Sequence, residues 1–79
     1  MTDTIKLKEL ISQKGLKMKF IAESLGLSAY GFQLKVENKQ EFKTGEVAAL
    51  CEILDVRSLR EKEAIFFARI DDLKSTKKE

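Results

Sequence analysis

The sequence predicts an all-α fold of five short helices, and three observations predict it. Apolar residues recur at spacings of three and four along most of the chain, the period of an α-helix with one buried face. Start and stop residues, among them Gly15, Gly26, Ser28 and Ser58, stand where each apolar pattern opens or closes. No proline interrupts any of these segments.

Residues 5–14 read as the first helix, with Leu7, Leu10 and Ile11 on one face and lysines on the other. Gly15 closes it and Leu16 turns inward. The second helix runs over 18–24. Ala22 lies four residues before Gly26, where a side chain larger than a methyl would hold two crossing helices apart. Gly26 makes the turn, because glycine reaches positive φ without steric cost. Leu27 drops into the core behind it. Ser28 is a good N-cap, so a third helix is expected over 29–37 with Phe32 facing inward one turn later. Residues 38–43 form a polar loop anchored by Phe42. The fourth helix spans 45–54, capped by Thr44 and burying Val47, Leu50, Cys51 and Leu54. Ser58 followed by Glu61 is a capping box that starts a fifth helix at Leu59. Beyond it, Ile65, Phe66, Phe67 and Ile70 fit either a continued helix with a broad apolar face or a short extended segment. Residues 74–79 are a charged tail expected to be disordered, which leaves one domain over 1–73.

Within this order, IAESLGLSAYGF (21–32) has the spacing of a helix-turn-helix. Two helices at a steep angle, joined by a short turn containing glycine, form the unit that lays its second helix in the major groove of DNA. An ordinary helical hairpin shares the same local spacing, so the rest of the chain has to weigh in.

Composition narrows the alternatives. At 79 residues the chain is one domain near the lower limit for a self-sufficient core, and such domains often dimerise. With no histidine and a single cysteine, a zinc site has essentially no ligands and no internal disulfide can form. Cys51 is expected to be a small core residue. Nothing forms a Gly-rich phosphate loop, so neither an enzyme nor a bound cofactor is expected. No apolar run is long enough to span a bilayer and the N-terminus lacks a signal-peptide pattern, which points to the cytosol. The net charge of +2 conceals an asymmetry. Residues 6–43 hold eight lysines against four glutamates, whereas from Thr44 onward seven basic residues face eight acidic ones. The positive half contains the helix-turn-helix spacing, where attraction to phosphate is useful.

Five short helices with the turn between the second and third resemble the DNA-binding domain of the Cro/CI-type phage repressors, the large XRE-like helix-turn-helix family. The likeness covers residues 5–56. LKVENKQEFKTGEV, followed by LCEILDV and a Phe-Phe pair, is similar to the short Cro-like regulators of phages of Gram-positive bacteria. The resemblance implies a lambda-repressor-like fold and a protein of the bacterial host's cytoplasm. It also implies a set of contacts to operator DNA. Lys17, Met18 and Lys19 would face phosphates at the start of the second helix; Ala29, Tyr30, Gln33 and Leu34 would face the groove; Lys35, Asn38 and Lys39 would flank it. A glutamine amide can pair with adenine, apolar groups can meet a thymine methyl, and lysines neutralise phosphate. Phe20, Ile21, Ala22, Leu25, Leu27 and Phe32 would be structural. Three positions depart from the family pattern. Met18 stands where many relatives carry glutamine, Gly31 sits inside the recognition helix at a cost of about 1 kcal/mol relative to alanine, and Phe20 falls where relatives usually carry a polar, solvent-facing residue.

Two functions follow from the resemblance. The leading one is a sequence-specific repressor that binds double-stranded operator DNA as a homodimer through Ile65, Phe66, Phe67 and Ile70. For at least one of the two phenylalanines, closing the monomer core is the alternative role. The rival is an antirepressor that binds the partner phage repressor and blocks its DNA-binding face, with Met18, Phe20, Tyr30 and Leu34 forming a protein contact.

Overall fold

Four of the five helices end in the same way, and that repeated ending sets the path of the chain. The structure, a computed structural model, describes residues 1–68, within which lie α1 (Thr4–Gln13), α2 (Met18–Ser24), α3 (Ala29–Val36), α4 (Thr44–Ile53) and α5 (Leu59–Phe66). There is no strand among the described residues. The expectations placed on Ile70 and on 74–79 lie outside them.

After each of the first four helices one residue takes positive φ: Gly15 at 69°, Gly26 at 74°, Asn38 at 66° and Asp55 at 59°. In each case two backbone bonds close the helix, as Leu27 N donates to Ala22 O at 2.9 Å and Gly26 N to Glu23 O at 3.0 Å for α2. This is the Schellman arrangement, and it satisfies carbonyls that a helix end otherwise leaves without donors. The residue that follows the turn is then thrown back towards the core. Leu16, Leu27 and Val56 occupy that position and pack there. Lys39 is the exception and stays at the surface. Asn38 and Asp55 do what Gly15 and Gly26 do because their short polar side chains tolerate the left-handed region better than other residues.

Three N-termini are capped by side chains: Asp3 accepts from Lys6 N at 3.0 Å, Ser28 from Gly31 N at 2.9 Å and Ser58 from Glu61 N at 3.3 Å. The Asp3 cap starts α1 at Thr4, one residue earlier than the apolar pattern suggests. Thr44 is not the cap of α4 but its first residue; Lys43 holds the N-cap position, and the Glu46 carboxylate accepts from Lys43 N at 2.9 Å. A carboxylate reaching back from the third helical position does the work expected of a threonine hydroxyl.

The core takes Leu7 and Ile11 from α1, Ile21 and Ala22 from α2, Phe32 and Val36 from α3, Leu50 and Cys51 from α4, and Ile65 and Phe66 from α5. Phe42, on the loop before α4, stands edge-on to both Phe32 (centroids 6.1 Å apart) and Phe66 (5.7 Å). Three rings thus tie α3, the loop and α5 together, and such pairs add about 0.5–1.5 kcal/mol each beyond their burial. α5 remains helical through Phe66, which decides the open choice for Ile65 and Phe66 in favour of helix.

The first residues of the chain run between the ends of α3 and α5. Asp3 N donates to Ile65 O at 2.7 Å, Ala68 N to Met1 O at 2.9 Å, and the terminal amine of Met1 to Ala68 O at 3.2 Å. On the other side, Asn38 Oδ1 accepts from Thr2 N at 2.7 Å while Asn38 Nδ2 donates to Thr2 O at 2.6 Å. The Thr4 hydroxyl donates to Val36 O at 2.6 Å.

Candidate nucleic-acid interface

α2 and α3 are the helix pair in closest mutual contact, joined by residues 25–28 with Gly26 in the left-handed region. On α3 the residue types divide cleanly around the axis. At about 100° per residue, Phe32, Lys35 and Val36 share the arc that is buried, while Ala29, Tyr30 and Gln33 share the arc that is exposed. Tyr30 is 70% exposed. Glu37, at the C-cap, lies on the same outward arc, and Gln33 Nε2 donates to its Oε2 at 3.3 Å. Leu34 lies at the margin of this face, half-buried.

Gly31 has a local physical reason. A Cβ at this position would stand 3.1 Å from Ser28 Oγ, the atom that caps α3. Its low helix propensity is therefore set against an uncrowded cap.

Lys17 at the N-cap of α2, Lys19 on α2 and Lys39 just after α3 are exposed. Lys39 Nζ lies 3.9 Å from Glu37 Oε1, a surface contact of little energetic weight. Met18 packs half-buried against the core, and its inward neighbours Ile21 and Ala22 leave Phe20 on the opposite side of α2. Phe20 is 53% exposed, which sets aside the structural role and agrees with the solvent-facing position that the family pattern gives it. On a helix whose inward direction is set by Ile21 and Ala22, the residue before them can only point out.

Two polar members of the expected phosphate-facing set have their side-chain groups engaged within the protein. Lys35 is a core-side residue: its Nζ lies 2.6 Å from Glu46 Oε1 on α4, with side-chain exposures of only 8% and 14%. The register that puts Phe32 and Val36 in the core carries Lys35 in with them, and Glu46 supplies the counter-charge. Burial alone would push the Glu46 carboxyl up. The hydrogen bonds from Lys35 and from the Lys43 amide, with the charges of both lysines, outweigh that and hold it below the ordinary glutamate value. Asn38 likewise spends its amide on the Thr2 backbone, so its side chain ties the end of α3 to the N-terminal segment. Neither Glu46 nor Thr2 stood out in the sequence. An asparagine just after a helical pattern is a recognisable left-handed cap, whereas the Lys35–Glu46 pairing has no local signature.

At the other end of the chain, Ile65 and Phe66 are core residues and not an exposed contact surface. Their direction follows from α5 packing against α1. Phe67, one residue past the helix, is 61% exposed and borders a groove with Met1, Phe42 and Val47. Cys51 is buried, and that burial pushes its thiol pKa up, which fits a core residue. Among the described residues no helix is long and apolar enough to cross a membrane. Comparison with protein-family models, with curated proteins and with solved structures finds no match to this chain.

Proposed function

We propose that the protein is a sequence-specific DNA-binding regulator of the Cro-like type, acting as a homodimer with α3 laid in the major groove of an operator. The observation that carries this reading is the division of α3. Its inward arc is locked by Phe32, Val36 and the Lys35–Glu46 pair, while its outward arc presents Ala29, Tyr30 and Gln33, and Lys17, Lys19 and Lys39 are exposed at the start of α2 and the end of α3. Side chains held on a rigid helix between cations suit a groove whose floor is read and whose walls are phosphate. The test is fluorescence anisotropy against duplex DNA over a range of salt. Each phosphate neutralised contributes about −0.9 to the slope of log K against log salt. Lys39→Ala should weaken binding to all sequences alike and flatten that slope by roughly one such unit. Salt-independent affinity would contradict the reading.

A second reading has its own observation. Phe20 on α2 and Tyr30 on α3 are large rings exposed to solvent, and exposed apolar surface also suits a protein partner. An antirepressor would capture the partner phage repressor in a pull-down, would lose it on Phe20→Ser, and would show no salt-dependent affinity for duplex.

A further inference from the structure

The outward arc of α3 carries no cation. Lys35 is the one basic residue of this helix, and it is turned into the interior against Glu46. Guanine is read in the major groove chiefly by arginine or lysine donating to O6 and N7. Neither residue stands at Ala29, Tyr30 or Gln33. Ala29 offers a methyl and Tyr30 an exposed ring, the kinds of group that meet the 5-methyl of thymine. Gln33 has its amide oriented by Glu37, which accepts one of the two Nε2 hydrogens. The other hydrogen and Oε1 remain for a base, and together they match adenine N7 and N6. The Glu37 carboxylate on the same arc repels acceptor atoms, of which guanine presents two, O6 and N7, while adenine presents one, N7, beside the N6 donor.

Resting on the DNA-binding reading above, we propose that the duplex facing α3 is A·T-rich, with thymine methyls against Ala29 and Tyr30 and one adenine per half-site paired with Gln33. Discrimination comes from methyl contacts and one amide, without a guanine contact from this helix. Lys17, Lys19 and Lys39 supply the sequence-independent attraction.

The experiment starts from selection of a randomised pool of duplexes about 20 base pairs long, two turns of B-DNA, by the full chain. Enriched duplexes should carry A·T pairs at the positions nearest α3. Replacing thymine there by 2′-deoxyuridine removes only the methyl and should lower affinity about fourfold for each methyl in contact. Tyr30→Ser should blunt that response, and Gln33→Arg should change the selected base at one position of each half-site from adenine to guanine. Both residues are exposed, and circular dichroism confirms that the variants fold. Enrichment of G·C at these positions by the wild-type chain, or indifference to deoxyuridine, overturns the proposal while leaving DNA binding intact. Salt-dependent binding without any enrichment overturns it too and makes the contact non-specific. Failure of the pool to bind at low salt overturns the DNA-binding reading itself.

Discussion

Lys35→Met deletes one ammonium group and leaves a side chain of similar length in the same space, which makes it a direct probe of how α3 is held. The ion pair it breaks is 2.6 Å long and joins α3 to the first turn of α4. In the variant, the Glu46 carboxylate keeps the Lys43 amide at 2.9 Å and enough exposure to be reached by water. A lost charge-assisted hydrogen bond of this kind is worth about 1.5–3 kcal/mol, and partial hydration of Glu46 places the expected loss near 2 kcal/mol. Glu46→Ala should cost more, about 3–4 kcal/mol, because it strands a nearly buried ammonium and also removes the acceptor for Lys43 N. The double variant Lys35→Met with Glu46→Gln should lose less than the sum of its parts, since a neutral pair in that space leaves no buried charge. Urea unfolding followed by circular dichroism reads these differences. With a slope of about 1 kcal/mol per molar for so small a chain, Lys35→Met should move the midpoint down by about 2 M. Losses below about 0.5 kcal/mol for both single variants, the range of a solvated surface pair, would show that the pair does not hold α3 in place.

The pH dependence of stability should carry the same pair: the Glu46 carboxyl is held below its ordinary value in the folded chain. Its contribution is therefore full above about pH 4.3, the ordinary glutamate value, and is lost as pH falls through the lower folded value. In acid unfolding series, Glu46→Gln should differ from wild type at neutral pH and converge on it in acid; a constant difference would refute this. At Asn38, glycine keeps the positive φ and removes the amide bonds to Thr2 and the longer one to the Thr4 hydroxyl, so Asn38→Gly should cost about 1 kcal/mol and strip the Thr2 amide of hydrogen-exchange protection. Asn38→Ala adds the strain of a left-handed alanine, about 1 kcal/mol more, and equal losses in the two variants would dismiss the backbone argument. Phe67→Asp, at an exposed position, should leave the helical circular-dichroism spectrum in place, shift sedimentation from dimer to monomer and abolish any dependence of Tm on protein concentration. A wild type that is monomeric at high micromolar concentration would remove the homodimer from the proposed function.

Helix order and identity are legible in the sequence because they depend on near neighbours. Gly15, Gly26, Ser28 and Ser58 act on backbone groups within four residues of themselves, and each ends or starts a helix where its chemistry requires. The outward placement of Tyr30 and Gln33 and the inward placement of Phe32 follow from helical periodicity alone. Only the tertiary structure decided what depends on distant partners. Lys35 looks like a surface lysine until α4 brings Glu46 against it from eleven residues away, and Asn38 looks like a loop residue until the N-terminal segment arrives from thirty-six residues away. Phe66 and Phe67 are adjacent and chemically identical, yet one closes the ladder through Phe42 and the other meets solvent, because α5 ends between them. Local chemistry sets where a helix begins and ends; which of its polar residues are free to meet a partner is set by what packs beside it.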